Sequence, residues 1–285
     1  MIDPRQSAEA ETAPLVMGVL NITADSFSDG GKYLDPHLAL AQARSLIAEG
    51  ARIIDIGGES TRPGAERVSL EQEQARVLPV IQALVELARP AGVRISIDTM
   101  NAETARLAVA AGADIVNDVS GGLADPAMLA TVAHTSATYA IGHWRGFSKV
   151  MDALAAYDSV SHDVARELEQ RVEAAVQAGI SRERIVVDPG LGFAKDADQN
   201  WELLGDLEPL FALGLPVLIG ASRKRFIAAH INPADPASVT NEQRDEATAK
   251  ITAELANSGV WGFRVHDVKR NVEAIASALR RPVSE

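Results

Sequence analysis

The sequence predicts a closed (β/α)8 TIM barrel, built as a single α/β domain over residues 14–285. Three observations predict it. From Leu15 onward, short apolar runs rich in Val and Ile alternate with longer amphipathic stretches, the pattern of buried parallel strands separated by helices. Nearly every short run finishes in a polar or charged residue, and barrel sites are built where strands finish. No composition break marks a domain boundary within the 285 residues. The alternative is an open doubly wound sheet, which the lack of a G-x-G-x-x-G after the first run disfavours.

Residues 1–13 lack the apolar centre of a signal peptide and read as a flexible polar tail. The first strand is PLVMGVLN, followed by the Gly-rich NITADSFSDGG. Asp35 before Pro36 is placed to cap the first helix, and Gly50 stands where that helix should end. RIIDIGG is the second strand, followed by GGESTRPGAERV, after which Ser69 and Gln72 have capping-box spacing. VRISIDT and ADIVNDV are the third and fourth strands, with Gly112 closing the helix between them and Asp125-Pro126 opening the next. ATYAIGH, RIVVDPG and LPVLIGAS are the fifth, sixth and seventh, and Gly179 ends the helix after the fifth. NPADPASVTNEQRDEA is poor in apolar residues and reads as an insertion before the seventh helix, with Thr240 and Gln243 at capping-box spacing. VWGFRVH is the eighth strand.

The net charge of −12 argues against nucleic acid as the main partner, although a pocket can still reverse the sign locally for a small anion. Without cysteine there are no disulfides and no thiolate chemistry. No apolar run approaches the ~20 residues of a membrane helix. The expectation is a soluble cytoplasmic protein with small-molecule partners.

Read in order, the strand ends give Asn21, Asp55, Asp98, Asn117, His143, Asp188, Ser222 with Lys224, and Arg264 with His266. Any one of the Asp and Asn residues can be a helix cap, but capping explains the whole set poorly. Asp98, Asn117 and Asp188 offer carboxylates and an amide suited to a flat, nitrogen-rich heterocycle. Lys224, Arg264 and His266 come from the seventh and eighth runs, a frequent phosphate location in barrels. Arg264 has a second reading, a salt bridge to a nearby Asp. The two long Gly-rich loops suit mobile segments that fold over a substrate, or else ordinary surface loops. Neither is a Walker loop. Phe193, in DPGLGFAK, is either a residue of the barrel mouth or of the core.

The stretches MGVLNITADSFSDGG, DIGGESTRPGA, SIDT, NDVSGG, DPGLGFAK, GASRKRF and FRVHDV together resemble the dihydropteroate synthase family. They fall in the family's order and cover nearly the whole chain. The resemblance implies a homodimeric barrel, a sulfonamide target, joining a dihydropterin methyl diphosphate to p-aminobenzoate. Carried over by position, Asp98, Asn117, Asp188 and Lys224 would bind the pterin. Asn21, Arg264 and His266 would bind the diphosphate, with Mg²⁺ held near Asn21. Thr61, Arg62, Phe193 and Ser222 would border the p-aminobenzoate pocket. The residues expected to carry the chemistry are Asp98, Asp188, Lys224, Arg264 and His266.

Two positions depart from the family pattern. Ala24 stands where the family has Pro, and Gly142 stands where it usually has Met at the floor of the pterin pocket. The Gly142 departure implies a wider pocket or a space filled by Trp144. Two other functions are weighed. A barrel that moves a methyl group from a methylated folate to a corrinoid has no use for Lys224, Arg264 and His266. A catalytically silent pterin-binding paralogue would bind pterin without turnover.

Overall fold

The computed structural model describes residues 13–22, 36–59, 68–147 and 150–280. Residues 1–12 of the expected tail, together with Asp35 and most of the two Gly-rich loops, including Ala24, Thr61 and Arg62, lie outside these residues.

Eight parallel strands alternate with helices, as the sequence predicts. They are β1 (Leu15–Asn21), β2 (Ile53–Gly57), β3 (Arg94–Asp98), β4 (Ile115–Asp118), β5 (Thr138–Gly142), β6 (Ile185–Asp188), β7 (Leu218–Ile219) and β8 (Gly262–Val265). The sheet runs β6-β5-β4-β3-β2-β1-β8-β7, and a parallel bridge from Val187 to Val217 joins its two ends. That bridge closes the barrel and rules out the open sheet. Around it lie α1 (Pro36–Ala48), α2 (Leu70–Ala88), α3 (Ala102–Ala111), α4 (Met128–Ala133) and α5 (Val160–Gln177), then α6 (Ala197–Gly205), α7 (Glu208–Phe211), α8 (Arg225–Ile231), α9 (Asn241–Leu255) and α10 (Val268–Leu279). Among the described residues no helix is long and apolar enough to cross a membrane.

Strand alternation divides the interior in two. Outward-facing Ile54, Ile56, Ile95, Ile97, Val116, Ile141, Val187, Phe263 and Val265 join the helices in one large core. Inward-facing Met17, Ile53, Ile115, Ala140, Val186 and Leu218 form a separate apolar plug inside the barrel. Two residues further along β2, β4 and β6, the same inward period gives Asp55, Asn117 and Asp188. The lower barrel is therefore sealed by burial, and its polar groups gather at the C-terminal ends of the strands.

Capping boxes form at Ser69–Gln72 and Thr240–Gln243. Gly50, Gly112 and Gly179 have φ of +105°, +118° and +103°, as their places after helices require. Two local expectations change. Asp125 is not the cap of α4, whose N-cap position is Ala127. Its Oδ1 accepts from Ala127 N at 2.9 Å and its Oδ2 from Ala102 N at 2.8 Å, so it ties the start of α3 to the turn before α4. The supposed insertion is shorter than its composition suggests, because its second half is the first turns of α9.

Candidate active site

The floor of the barrel mouth is a charged network drawn from four strands. Arg264 donates from Nε to Asp55 Oδ2 and from Nη2 to Asp98 Oδ2, both at 2.6 Å. Asn117 Nδ2 donates to the same Asp55 oxygen at 3.1 Å. Asp55 is fully buried and Asp98 is 9% exposed. Burial pushes the Asp98 carboxyl up to about 7, against the pull of Arg264. The flanking carboxylates outweigh burial at Arg264 and raise its pKa above the usual value. Of the two sequence readings of Arg264, the salt bridge is present, and the guanidinium that makes it stands at the mouth.

Lys224 lies beside Asp188. A Cβ built on Gly220 would be 3.5 Å from Asp188 Oδ2 and 4.0 Å from Lys224 Nζ. Burial lowers the Lys224 pKa to about 8, with Asp188 opposing. Its Nζ donates to Leu191 O and lies 4.7 Å from the centre of the Phe193 ring. Phe193 is thus at the mouth, half-buried, and in contact with a site lysine. Asp188 Oδ1 accepts from Gly190 N at 2.7 Å, which turns the chain sharply after β6. Gly190 has φ of +66°, and a Cβ there would collide with the His143 carbonyl, so the turn demands glycine.

His266 is held by Ser222. The Ser222 hydroxyl accepts from His266 N at 3.2 Å and lies 2.9 Å from Nδ1. Asn21 ends β1 half-buried. Its Oδ1 and Asp98 Oδ2 are each 3.6 Å from a Cβ built on Gly57, so glycine leaves room between two oxygen donors. Among the described residues, no group of three His, Cys, Asp or Glu could hold a metal alone. A neutral amide oxygen beside one carboxylate fits Mg²⁺, which takes few protein ligands and completes its shell with phosphate oxygens and water. Thr61 and Arg62 cannot be placed, being outside the described residues.

Several supporting residues escape sequence reasoning. Glu73, 1% exposed on α2, accepts from Thr99 Oγ1 and Thr104 Oγ1 at 2.6 Å and from Asn101 Nδ2 at 2.8 Å. Asp118 accepts from Ser120 N, Gly122 N and the Tyr139 hydroxyl at 2.7–2.8 Å, which fixes the loop after β4. Lys195 is buried with Nζ 2.9 Å from His143 Nδ1. In sequence Glu73 sits in an amphipathic segment and Lys195 in a loop, where a charged residue normally signals solvent. His143, flagged as a strand end, turns away from the mouth network to Glu167, with Nε2 3.0 Å from Oε2. Gly142 is also clarified. A Cβ there would lie 2.5–2.7 Å from Val119 backbone atoms. Backbone, rather than a void or Trp144, occupies that space; Trp144 packs edge-on against Phe147 with ring centres 4.9 Å apart.

The sequence profile of a family described as "Pterin binding enzyme" matches residues 17–266. The dihydropteroate synthase of Mycobacterium leprae is 48% identical over 261 residues, covering 91% of this chain and 90% of that one. That of Synechocystis is 44% identical, covering 93% and 90%. Among solved structures, the Xanthomonas albilineans dihydropteroate synthase with 4-aminobenzoic acid superposes with TM-score 0.84 at 40% identity over 94% of each chain. The Yersinia pestis enzyme in complex with a sulfonamide drug gives TM-score 0.85 at 38% identity, again over 94% of each. These likenesses span the strand-end residues just described, and the chain belongs to the dihydropteroate synthase family of pterin-binding enzymes.

Proposed function

We propose that this chain condenses a dihydropterin methyl diphosphate with p-aminobenzoate, giving dihydropteroate and diphosphate. The observation that carries this reading is the mouth network itself. Arg264 is clamped between Asp55 and Asp98 beside Asn117, with Lys224 and Asp188 opposite. Such a set presents acceptors to the N–H groups of a pterin and cations to its diphosphate. It rejects analogues strongly, because an unmatched ring leaves buried polar groups unpaired. The relatives bear on both substrates: Xanthomonas albilineans structures hold 4-aminobenzoic acid in one case and 7,8-dihydropteroate in another.

The reaction breaks the bond from the pterin methylene carbon to the diphosphate oxygen and makes a bond from that carbon to the aniline nitrogen, which loses a proton. Electron donation from the ring supports a cation-like carbon, so bond breaking runs ahead of bond making. Asp98 and Asp188 oppose the positive charge that spreads into the ring, and Asn117 and Lys224 orient it. Nε and Nη2 of Arg264 are engaged by carboxylates, so Nη1 meets the phosphate oxygens, with the His266 imidazole beside it. Asn21 Oδ1, beside Asp98, would hold Mg²⁺, which would supply further charge neutralisation on the departing diphosphate. Phe193 and Ser222 border the p-aminobenzoate pocket, where a sulfonamide would compete. No protein nucleophile is required. We assign the chain to the cytoplasm and to a homodimer on the same family grounds.

The test is diphosphate release by purified protein with the pterin diphosphate, Mg²⁺ and p-aminobenzoate. Release that depends on p-aminobenzoate and stops on chelation supports the reading. Pterin binding without release identifies the silent paralogue instead.

A further inference from the structure

Among the described residues, Lys195 is the one buried cation at the barrel mouth for which the reaction above has no role. It is 6% exposed, and its Nζ meets three acceptors: His143 Nδ1 at 2.9 Å, Gly190 O at 3.2 Å and Phe193 O at 3.2 Å. Three acceptors saturate an ammonium group. They also fix the imidazole, whose Nε2 faces Glu167 Oε2 at 3.0 Å. Glu167 is held in turn by Arg145, through Nε at 3.0 Å and Nη2 at 2.6 Å. One of the two carboxylates that balance Lys195, Glu167, is thus reached through the His143 ring; the other is Asp188. Burial and the nearby Lys224 pull the Lys195 pKa well below the usual value, with Asp188 and Glu167 opposing.

An apolar side chain would fill this space without that cost, so the amino group has a task that only a donor can perform. The task is visible in the loop it touches. Residues 190–194 carry their carbonyls toward donors from every side. Lys195 takes Gly190 O and Phe193 O, Lys224 takes Leu191 O, and the Tyr157 hydroxyl takes Ala194 O at 2.9 Å. Asn200 Oδ1 accepts from Gly192 N at 2.6 Å. Ala194 is held at φ +48°, a conformation that needs such support. The one large side chain displayed by this frame is Phe193.

We propose that Lys195 is a positioning residue for the p-aminobenzoate pocket, holding the Gly190 and Phe193 carbonyls so that the Phe193 ring keeps its place. This rests on the functional reading above. Lys195 touches neither substrate and acts through Phe193.

A double-mutant cycle tests it. In Lys195→Met, which keeps the bulk and removes the donors, the KM for p-aminobenzoate should rise about tenfold, with KM for the pterin diphosphate within about twofold. Phe193→Ala should raise the same constant, and the combined variant should be no worse than Phe193→Ala alone. Effects that multiply in the combined variant overturn the proposal, as do equal rises in both KM values or no rise at all. If Lys195→Met does not fold, Tyr157→Phe removes the neighbouring carbonyl bond and keeps the ring. It should raise the p-aminobenzoate KM by a smaller factor that also vanishes in the Phe193→Ala background, and a factor that persists there overturns the proposal. Wild-type protein that releases no diphosphate sinks the functional reading itself, which keeps the two failures distinct.

Discussion

Arg264 on β8 reaches Asp98 at the end of β3 with Nη2 to Oδ2 at 2.6 Å, while its Nε holds Asp55 at the same distance. A planar fork spans two carboxylates, and an ammonium cannot reproduce that geometry. Arg264→Lys should therefore lower kcat/KM for the pterin diphosphate on the order of a hundredfold. It should also lower Tm, because two buried carboxylates lose a matched partner. Steady-state kinetics beside thermal unfolding check both. Unchanged kcat/KM would mean that a point charge suffices and that the fork is not part of the chemistry.

The same pair sets a pH dependence. Asp98 must be ionised to accept from Arg264 and from the pterin, and burial places its pKa at about 7. Lys224, lowered chiefly by burial to about 8, loses its charge above that point. kcat/KM for the pterin diphosphate should rise through about pH 7 and fall beyond about 8. Stability runs the other way for Asp98. A carboxyl whose folded pKa is raised contributes stability at low pH and loses it as pH rises through about 7. A flat rate profile from about pH 6 to 9 would remove Asp98 from the role given to it.

The strand ends were legible because a barrel converts a one-dimensional pattern into a ring. Apolar runs ending in Asp, Asn, Ser, Lys, Arg or His place those groups at one mouth whatever the helices do. Asp98, Asn117, Asp188, Lys224 and Arg264 were found that way. Their mutual bonding was not legible, since Asp55 meets Arg264 across 209 positions of chain. Glu73 and Lys195 were missed for a different reason. Each is a charged residue in a helical or loop segment, and only tertiary packing reveals that donors or acceptors surround it. Asp125 misled because Asp-Pro signals a cap, whereas its carboxylate serves two neighbouring turns.

Acid should destabilise the region beneath the β6 loop. His143 is 2% exposed. Burial first, then Lys195 and Arg145, depress its pKa to about 4, with Glu167 opposing and the Tyr157 ring alongside. A base with a depressed folded pKa contributes stability that is present above its unfolded value of about 6.5 and lost as pH falls toward 4. The loss is on the order of 3 kcal/mol. Glu167, held near 2 first by the His143 hydrogen bond, extends the decline below about pH 4.5. His143→Gln keeps hydrogen-bonding capacity without a titrating ring, so Tm against pH should flatten between about 6.5 and 4. A slope identical to wild type would place the acid sensitivity elsewhere.

Arg223 stands between Ser222 and Lys224 with φ of +60°, a left-handed conformation that costs energy for any residue with a Cβ. Its guanidinium grips Asp245 on α9 with bonds of 2.8 and 2.7 Å. The ion pair holds the strained turn that aims both neighbours into the site. Arg223→Ala keeps the strain and loses the pair, whereas Arg223→Gly loses both. The glycine variant should be the more stable of the two by ~1 kcal/mol and should retain more activity. The reverse order in unfolding midpoints would show that the turn is not strained.

Gly142 bears on whether this chain tolerates the residue its family usually carries. A Cβ at this position would sit 2.5 Å from Val119 O and 2.6 Å from Val119 Cα, and backbone atoms at the end of a barrel strand cannot step aside cheaply. The Val119 backbone belongs to the loop that Asp118 pins through Ser120 and Gly122. Pushing it outward would strain that loop and shift Asn117, two residues earlier, to which the proposed function gives pterin binding. Gly142→Ala should thus cost ~1–3 kcal/mol of stability, in the range of overpacked cores. It should also weaken pterin binding more than p-aminobenzoate binding. Restoring Met should be worse still, not better. Calorimetric titration with the pterin beside thermal unfolding decides it. A Gly142→Met variant with wild-type Tm and tighter pterin binding would mean that Val119 yields readily and that the glycine is a loss rather than an accommodation.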